Sequence, residues 1–247
     1  MHTPGRIFAY LLIVLLLAVP TLRAQSPATH SGPLVTSASA GLALTSGNKD
    51  TSTLNLGYEL VYDPKARNLA KSDGLVLRGK SDGELTADRL SLNARDEYRI
   101  HSRVFTFGQL QYARDQFKNI QYLVSPAAGI GYRFADSPKN RVSADAGLGG
   151  VWEKPLLQDV RASGAVTLGE KLTHQLSPSA TLSQSFSALY KSNDFSDSLY
   201  TFGAAVAASM TARTQLKVEL LDTYKNVVAP SFVKNDVALI VSMVFKH

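Results

Sequence analysis

The sequence predicts an all-β protein, a closed antiparallel transmembrane β-barrel of about 12 strands over residues 36–247. Three observations carry this. Runs with an apolar residue at every second position follow one another to the last residue, the period of a strand with one apolar face. The runs are about ten to thirteen residues long, against about five or six for a globular strand and about nine to eleven for a tilted strand crossing a bilayer. Beyond the N-terminal segment no stretch has the 3.6-residue period, so no helix is at hand to cover an apolar sheet face.

The chain opens with a basic "MHTPGR", an uncharged "IFAYLLIVLLLAVP" over 7–20, and "TLRAQS". A run of about fourteen apolar residues is short of the roughly 20 that span a bilayer as a helix. It has the three-part pattern of a secretory signal peptide, expected over 1–24. A polar, Pro-containing lead follows over 25–35. No later apolar run is long enough for a membrane helix, which excludes a helical membrane protein. The chain has no Cys, so it gains no disulfide and has neither a thiolate nucleophile nor a Cys-based metal site. Of its 26 basic residues two, Arg6 and Arg23, lie in the leader, against 20 acidic residues that all lie beyond it. So mild and mixed an excess argues against nucleic acid as a partner.

The strands are expected in order. The first is the small-residue run 36–46, turned by "GNKD" (47–50) into 51–63, where Leu54, Leu56, Tyr58, Leu60 and Tyr62 share a face. The third is 74–84, with Leu75 and Leu77 on the apolar side and Val76, Arg78 and Lys80 opposite. The fourth, 87–100, sets Leu90, Leu92 and Ala94 against Arg89, Ser91, Asn93, Arg95, Glu97 and Arg99. "HSR" reverses the chain into 103–113; 122–134 follows, then the turn "ADSPKN". In 141–153 Val142, Ala144, Ala146, Leu148 and Trp152 alternate with Arg141, Ser143, Asp145 and two glycines. The remaining five are expected at 158–169, 178–190, 198–210, 214–224 and 236–245. Two features sit awkwardly: Asp96 falls on the apolar parity, which calls for a bulge or a rim position, and Phe105 and Phe107 fall on the polar one.

One question remains: does the apolar face look inward or outward? About eight strands already give an interior just wide enough for side chains to fill, so twelve lined with Leu, Ala and Val would leave a void. Outward, the same residues meet lipid and the charges pair across a wet lumen. A mid-strand Arg or Lys on the lipid face costs roughly 2–4 kcal/mol. The lipid-facing assignment therefore puts Glu59, Arg78, Arg95, Glu97, Arg99, Arg133 and Asp145 in the lumen, with Asp82, Glu84 and Arg114 in a charged cluster at one rim. Aromatics at strand ends, among them Tyr62, Tyr98, Tyr132, Trp152, Tyr200 and Tyr224, fit interfacial girdles. The last strand places Val237, Leu239, Val241, Met243 and Phe245 on one face, a pattern that looks like the signal read by barrel assembly machinery, although Lys246 and His247 follow the Phe.

The segments "GLALTSGNKDTSTLNLGYELVYD" (41–63), "KSDGELTADRLSLNARDEY" (80–98), "FGQLQYARDQF" (107–117) and "AAGIGYRF" (127–134) together resemble the outer-membrane family of domain of unknown function 481, also called salt-stress-induced outer membrane protein. The resemblance covers about residues 37–247 and is strongest in the first half. It implies a Gram-negative outer-membrane barrel with no assigned reaction, and it brings no active-site residues.

Function is read from the lumen. The first expectation is a narrow channel or envelope-stress barrel passing small ions or solutes, since rings of charge select permeants. The alternative is a closed structural or interaction barrel, its interleaved charges neutralising one another. A lipid-acting membrane enzyme is a remote third. It needs Ser and His within reach on one face, whereas His101 and Ser102, like His174 and Ser177, point apart in a strand. No catalytic residue, cofactor or metal ligand is expected; "SDGE" lacks the acidic ligand spacing of an EF-hand. The expected partners are outer-membrane lipids and, during biogenesis, the assembly machinery.

Overall fold

The computed structural model describes residues 33–45, 51–156, 158–228 and 232–247. The expected signal peptide, most of the polar lead and the "GNKD" turn lie outside these. Twelve strands run in chain order: β1 Leu34–Thr45, β2 Thr51–Tyr62, β3 Asn68–Ser81, β4 Glu84–Arg99, β5 Val104–Asp115, β6 Ile120–Asp136, β7 Asn140–Lys154, β8 Arg161–Ser177, β9 Ala180–Lys191, β10 Asp194–Ser209, β11 Thr214–Lys225 and β12 Asn235–Lys246. Each pairs antiparallel with its sequence neighbours, and β1 pairs with β12 to close the barrel. A one-turn 3-10 helix, Gln116–Lys118, interrupts the β5–β6 connection. We call the end where β1 starts and β12 finishes the lower end, and the opposite end the upper.

Closure is the thinnest seam. β1 and β2 register over twelve pairs, β1 and β12 over four, from Ser37↔Lys246 to Ala40↔Met243. Just above, Asn55 of β2 reaches over β1 and donates from Nδ2 to the Val241 carbonyl of β12 at 3.4 Å. Gly41 makes this reach feasible: a Cβ there would stand 2.1 Å from that carbonyl oxygen and 2.5 Å from the Asn55 amide.

The outer wall is apolar. Leu148, Leu239 and Leu42 are 71%, 68% and 66% exposed, and Leu54, Leu56, Leu92, Leu110, Ile130, Val206 and Val218 share their face. No helix of the described residues is long and apolar enough to cross a membrane; the strands, 12 to 17 residues long, supply the crossing length. Aromatic rings gather toward the two edges of this band. Near the upper end Tyr200 contacts Tyr190, Phe186 and Tyr224 at centroid distances of 5.7, 6.3 and 6.0 Å. Near the lower end Tyr132 and Phe134 meet edge to face at 5.1 Å, Arg67 donates to the Tyr98 hydroxyl and Arg103 to that of Tyr132. Such rings with a polar tip and long cationic stems suit the headgroup layer.

The third strand differs from expectation. It begins six residues earlier, at Asn68, so the second half of "DPKARNLAKS" (63–72), between the two expected strands, is strand and the β2–β3 connection is only residues 63–67. Its parity is also inverted. Pairing of Leu56 with Val76 and Leu54 with Arg78 turns Val76, Arg78 and Lys80 outward, and Leu75 and Leu77 inward, where Leu77 is 6% exposed. Leu-Val-Leu is apolar on both faces, and a strand's period of two makes a one-residue choice invert every side chain. Asp96 takes the rim position: it opposes Ala70 and Gly108 near the lower end, where Asn68 donates to its carboxylate at 3.3 Å.

Candidate functional site

Local chemistry explains why charge accumulates inside. On β4 every second residue from Arg89 to Arg99 points inward, three of them cations. A single acid, Glu97, collects three of the lumen's cations: Lys71 Nζ at 2.9 Å, Arg95 Nε at 3.1 Å and Arg133 at 2.9 Å. Arg95 continues across the lumen to Asp145 of β7 at 2.9 Å and donates to Gln109 at 2.7 Å. Its guanidinium lies 3.8 Å from the centroid of Phe107, and that of Arg133 lies 4.9 Å from Phe105. Planar cations stacked on ring faces keep their favourable electrostatics with little hydration. The rings themselves rest on glycines: a Cβ at Gly131 would be 2.2 Å from the Phe105 ring, and one at Gly147 2.9 Å from that of Phe107. The result is a belt of stacked and bonded side chains near the lower third of the barrel.

Below the belt Asp63, in the β2–β3 connection, accepts from the Lys65 backbone N–H and ammonium and pairs with Arg99 at 3.3 Å. Burial alone pushes its carboxyl up, but these donors together hold it below the usual carboxylate range.

The upper half is filled differently. Ile120, Leu123, Val151, Ala165 and Leu189 form an inward apolar cluster, each 5% exposed or less, and Leu77, Leu221 and Ile240 meet across the lumen. Glu153, 3% exposed, bonds Lys225 and also Lys191 at 2.6 Å, and Lys191 turns to Asp197 at 2.5 Å. Lys118, fully buried in the β5–β6 turn, spans the mouth. Its ammonium donates to the carbonyls of Val233 and Lys234 at 3.0 and 2.8 Å and pairs with Asp236 at 2.8 Å. Asn119 beside it accepts from the Leu156 N–H at 3.0 Å. Three upper loops are thereby tied together over the lumen.

Of the expected lumen residues, Glu59, Arg95, Glu97, Arg99, Arg133 and Asp145 lie on the inward parity, and the last five join the belt or its lower edge. Arg78, expected in the lumen, does not, and the three residues expected at one rim, Asp82, Glu84 and Arg114, lie at the upper rim. Arg78 and Arg114 face outward near the upper rim, where Arg78 opposes Asp88 in register and Arg114 pairs with Asp88 at 3.0 Å. Three residues from the end of β3, Arg78 sits at the membrane edge, where a cation costs little. Asp82 and Gly83 are the β3–β4 turn itself, with φ of 51° and 83°, and Glu84 follows at the rim. Asp-Gly between two β runs is the sequence of a two-residue hairpin turn, the signal that could have placed them.

Residues missed by sequence reasoning include Lys71, hidden in the segment read as a loop, and Glu153, Lys191 and Lys225 at strand ends. Glu153 falls on the inward parity of the expected strand, and extending the ninth and eleventh strands by one residue reaches Lys191 and Lys225. Lys71 lies three residues before the expected third strand, whose parity, read from pattern alone, is inverted. Lys118 carries no such signal, because its role depends on a loop crossing the barrel. The two phenylalanines on the polar parity are the stacking platforms of the belt. His174, on the outer side, bonds Asn140 at 2.5 Å; Ser177 bonds Ser179.

Among solved structures, the NanC porin has a TM-score of 0.48 at 8% identity, covering 86% of this chain and 96% of that one. The COG4313 outer membrane channel from Pseudomonas putida F1 has a TM-score of 0.50 at 14% identity, covering 92% and 100%. The translocator domain of the autotransporter NalP from Neisseria meningitidis has a TM-score of 0.49 at 12% identity, covering 86% and 87%. At these identities the Pseudomonas putida channel speaks for the fold alone, an outer-membrane β-barrel. No curated protein matches. The family model "Protein of unknown function, DUF481" matches residues 38–247, and the chain belongs to that family.

Proposed function

We propose that the protein is a narrow outer-membrane channel for small polar or ionic solutes, shut at its upper end in the arrangement described. The observation that carries this is the polarity inversion. The wall against lipid is apolar, while the inner wall holds ion pairs at several levels and, toward the lower end, exposed charges such as Glu59, Asp73 and Lys171. A wet lower lumen with a tied upper mouth is what a gated passage requires. In this reading the leader directs export, the lower end faces the periplasm, the outward face of β12 guides assembly, and the outer wall is solvated by lipid. No reaction is assigned.

A second reading is favoured by the apolar contacts of Leu77 with Leu221 and Ile240 across the lumen: a permanently closed barrel with a structural or docking role. Single-channel recording in planar bilayers separates the two. Conductance steps that grow with Lys118→Ala and change with Arg95→Ala support the channel. A folded barrel that stays silent in the parent and in both variants refutes it and leaves the closed reading.

A further inference from the structure

The two inner walls of the lower lumen differ, and the difference names a ligand. On the β3–β7 side charges are interleaved and bonded: Glu97 holds three cations and Asp145 holds Arg95. On the β8–β9 side hydroxyls surround one cation, and the adjoining inward residues of β10 are Thr201 and then the small Gly203, Ala205 and Ala207. Lys171 is exposed, and its register partners are Ser143 and Ser185; Thr173, Ser183, Ser187 and Thr201 continue the same face. Among the described residues Lys171 has no carboxylate within 4.0 Å, since Asp145, two pairs above on β7, is taken by Arg95. Across the lumen its charge acts on the Lys71 ammonium, which Glu97 binds at 2.9 Å and Arg95 also adjoins. Cations facing one another in a confined, low-dielectric passage concentrate anions there.

The geometry points to an oxyanion-binding wall in the lower lumen. Lys171 supplies the charge and the hydroxyls of β8–β10 donate to a small carboxylate- or phosphate-bearing solute. This deepens the channel reading by naming a solute class, and it rests on the lower lumen being open to water, not on conduction through the upper mouth.

The test uses the full chain, which contains no Cys. Ser185→Cys places a single thiol beside Lys171 on the exposed inner wall. Its labelling rates with an anionic and a cationic thiosulfonate reagent are compared in detergent-folded barrel, folding being checked by heat-dependent gel mobility. Any effect of Lys171 on thiolate formation cancels in the ratio. The anionic reagent is expected to be faster by about tenfold, falling to about threefold or less with Lys171→Gln added. Inorganic phosphate should protect the thiol more than sodium chloride at matched ionic strength, and only while Lys171 is present. Equal rates, a ratio indifferent to Lys171→Gln, equal protection by chloride, or a thiol that does not label at all each overturn the proposal. Labelling does not need a conducting pore. An asymmetric result in a barrel silent in bilayers therefore removes the channel reading and keeps the oxyanion wall.

Discussion

Replacing Glu97 by Gln tests whether the belt is a buried structural network or a set of solvated charges. Glu97 accepts from Lys71, Arg95 and Arg133 through both carboxylate oxygens. The Lys71 side chain is 30% exposed and can turn to water, so its loss is small, about 0–1 kcal/mol. The two arginines are each 11% exposed. Arg95 keeps Asp145 and Gln109, but Arg133 is left with only the Phe105 ring. Removing one partner of a buried pair costs about 3–5 kcal/mol, and the stacked ring and wet lower edge place the expected loss near the low end, about 3 kcal/mol. Unfolding of the barrel in phospholipid vesicles by denaturant, followed by fluorescence of the sole tryptophan, Trp152, measures it. Lys71→Gln is the control and should lose under about 1 kcal/mol. Arg133→Met combined with Glu97→Gln should recover part of the loss, because the stranded charge is gone. A Glu97→Gln barrel within about 0.5 kcal/mol of the parent would show that water, not the network, satisfies these charges, and would remove the structural role of the belt.

Three further outcomes are expected. Leu148→Arg, at the middle of β7 on the outer wall, should destabilise the barrel in vesicles by about 2–4 kcal/mol, whereas Ser187→Arg on the inner wall should cost far less; equal costs would contradict the assignment of faces. Gly131→Ala sets a Cβ 2.2 Å from a ring that is itself 1% exposed, so a loss of about 1–3 kcal/mol in the same assay is expected, relieved by adding Phe105→Leu. Asp63 has its carboxyl held below the ordinary range, so its contribution is fully present above the unfolded-state value of about 3.9 and is lost as pH falls through the lower folded value. Limited proteolysis of the β2–β3 connection should therefore rise in acid in the parent and become insensitive to pH over that window in Asp63→Asn.

The barrel was legible because its evidence is periodic. Alternation over long runs yields strand number and, where the two faces differ chemically as on β4 and β7, the side each residue faces. On β3 both faces carry apolar residues near Leu75–Leu77, and pattern alone had nothing to decide the parity. Hydrogen-bonded register with β2 decided it, placing Arg78 opposite Leu54. The belt was half legible. Its β4 members follow from parity, and Arg133 and Asp145 fall on polar positions, but the meeting of Arg133 with Glu97 and of Asp145 with Arg95 depends on strand tilt, which brings β3, β4, β6 and β7 together across a curved wall. Lys118 was illegible: nothing in "RDQFKNIQ" says that the turn leans over the mouth to reach the β11–β12 loop.

The distribution of order along the lumen bears on how such a barrel could open. A barrel wall is held by continuous backbone pairing and cannot widen without breaking it. Any change of bore must come from side chains and loops. In the belt, Glu97 and Arg95 each hold several partners, and the rings beside them are seated on glycine, so moving either group disturbs many. At the upper mouth the restraint is instead concentrated in one ammonium, on three acceptors contributed by a single loop and the start of β12. A device that depends on one buried cation is released by one competing interaction, and its release leaves the wall intact. Yet the apolar cluster of Ile120, Leu123, Val151 and Leu189 remains beneath the mouth. Freeing Lys118 alone therefore opens the entrance without clearing the passage, and a Lys118→Ala barrel should conduct in brief, small steps and not as a porin-sized pore.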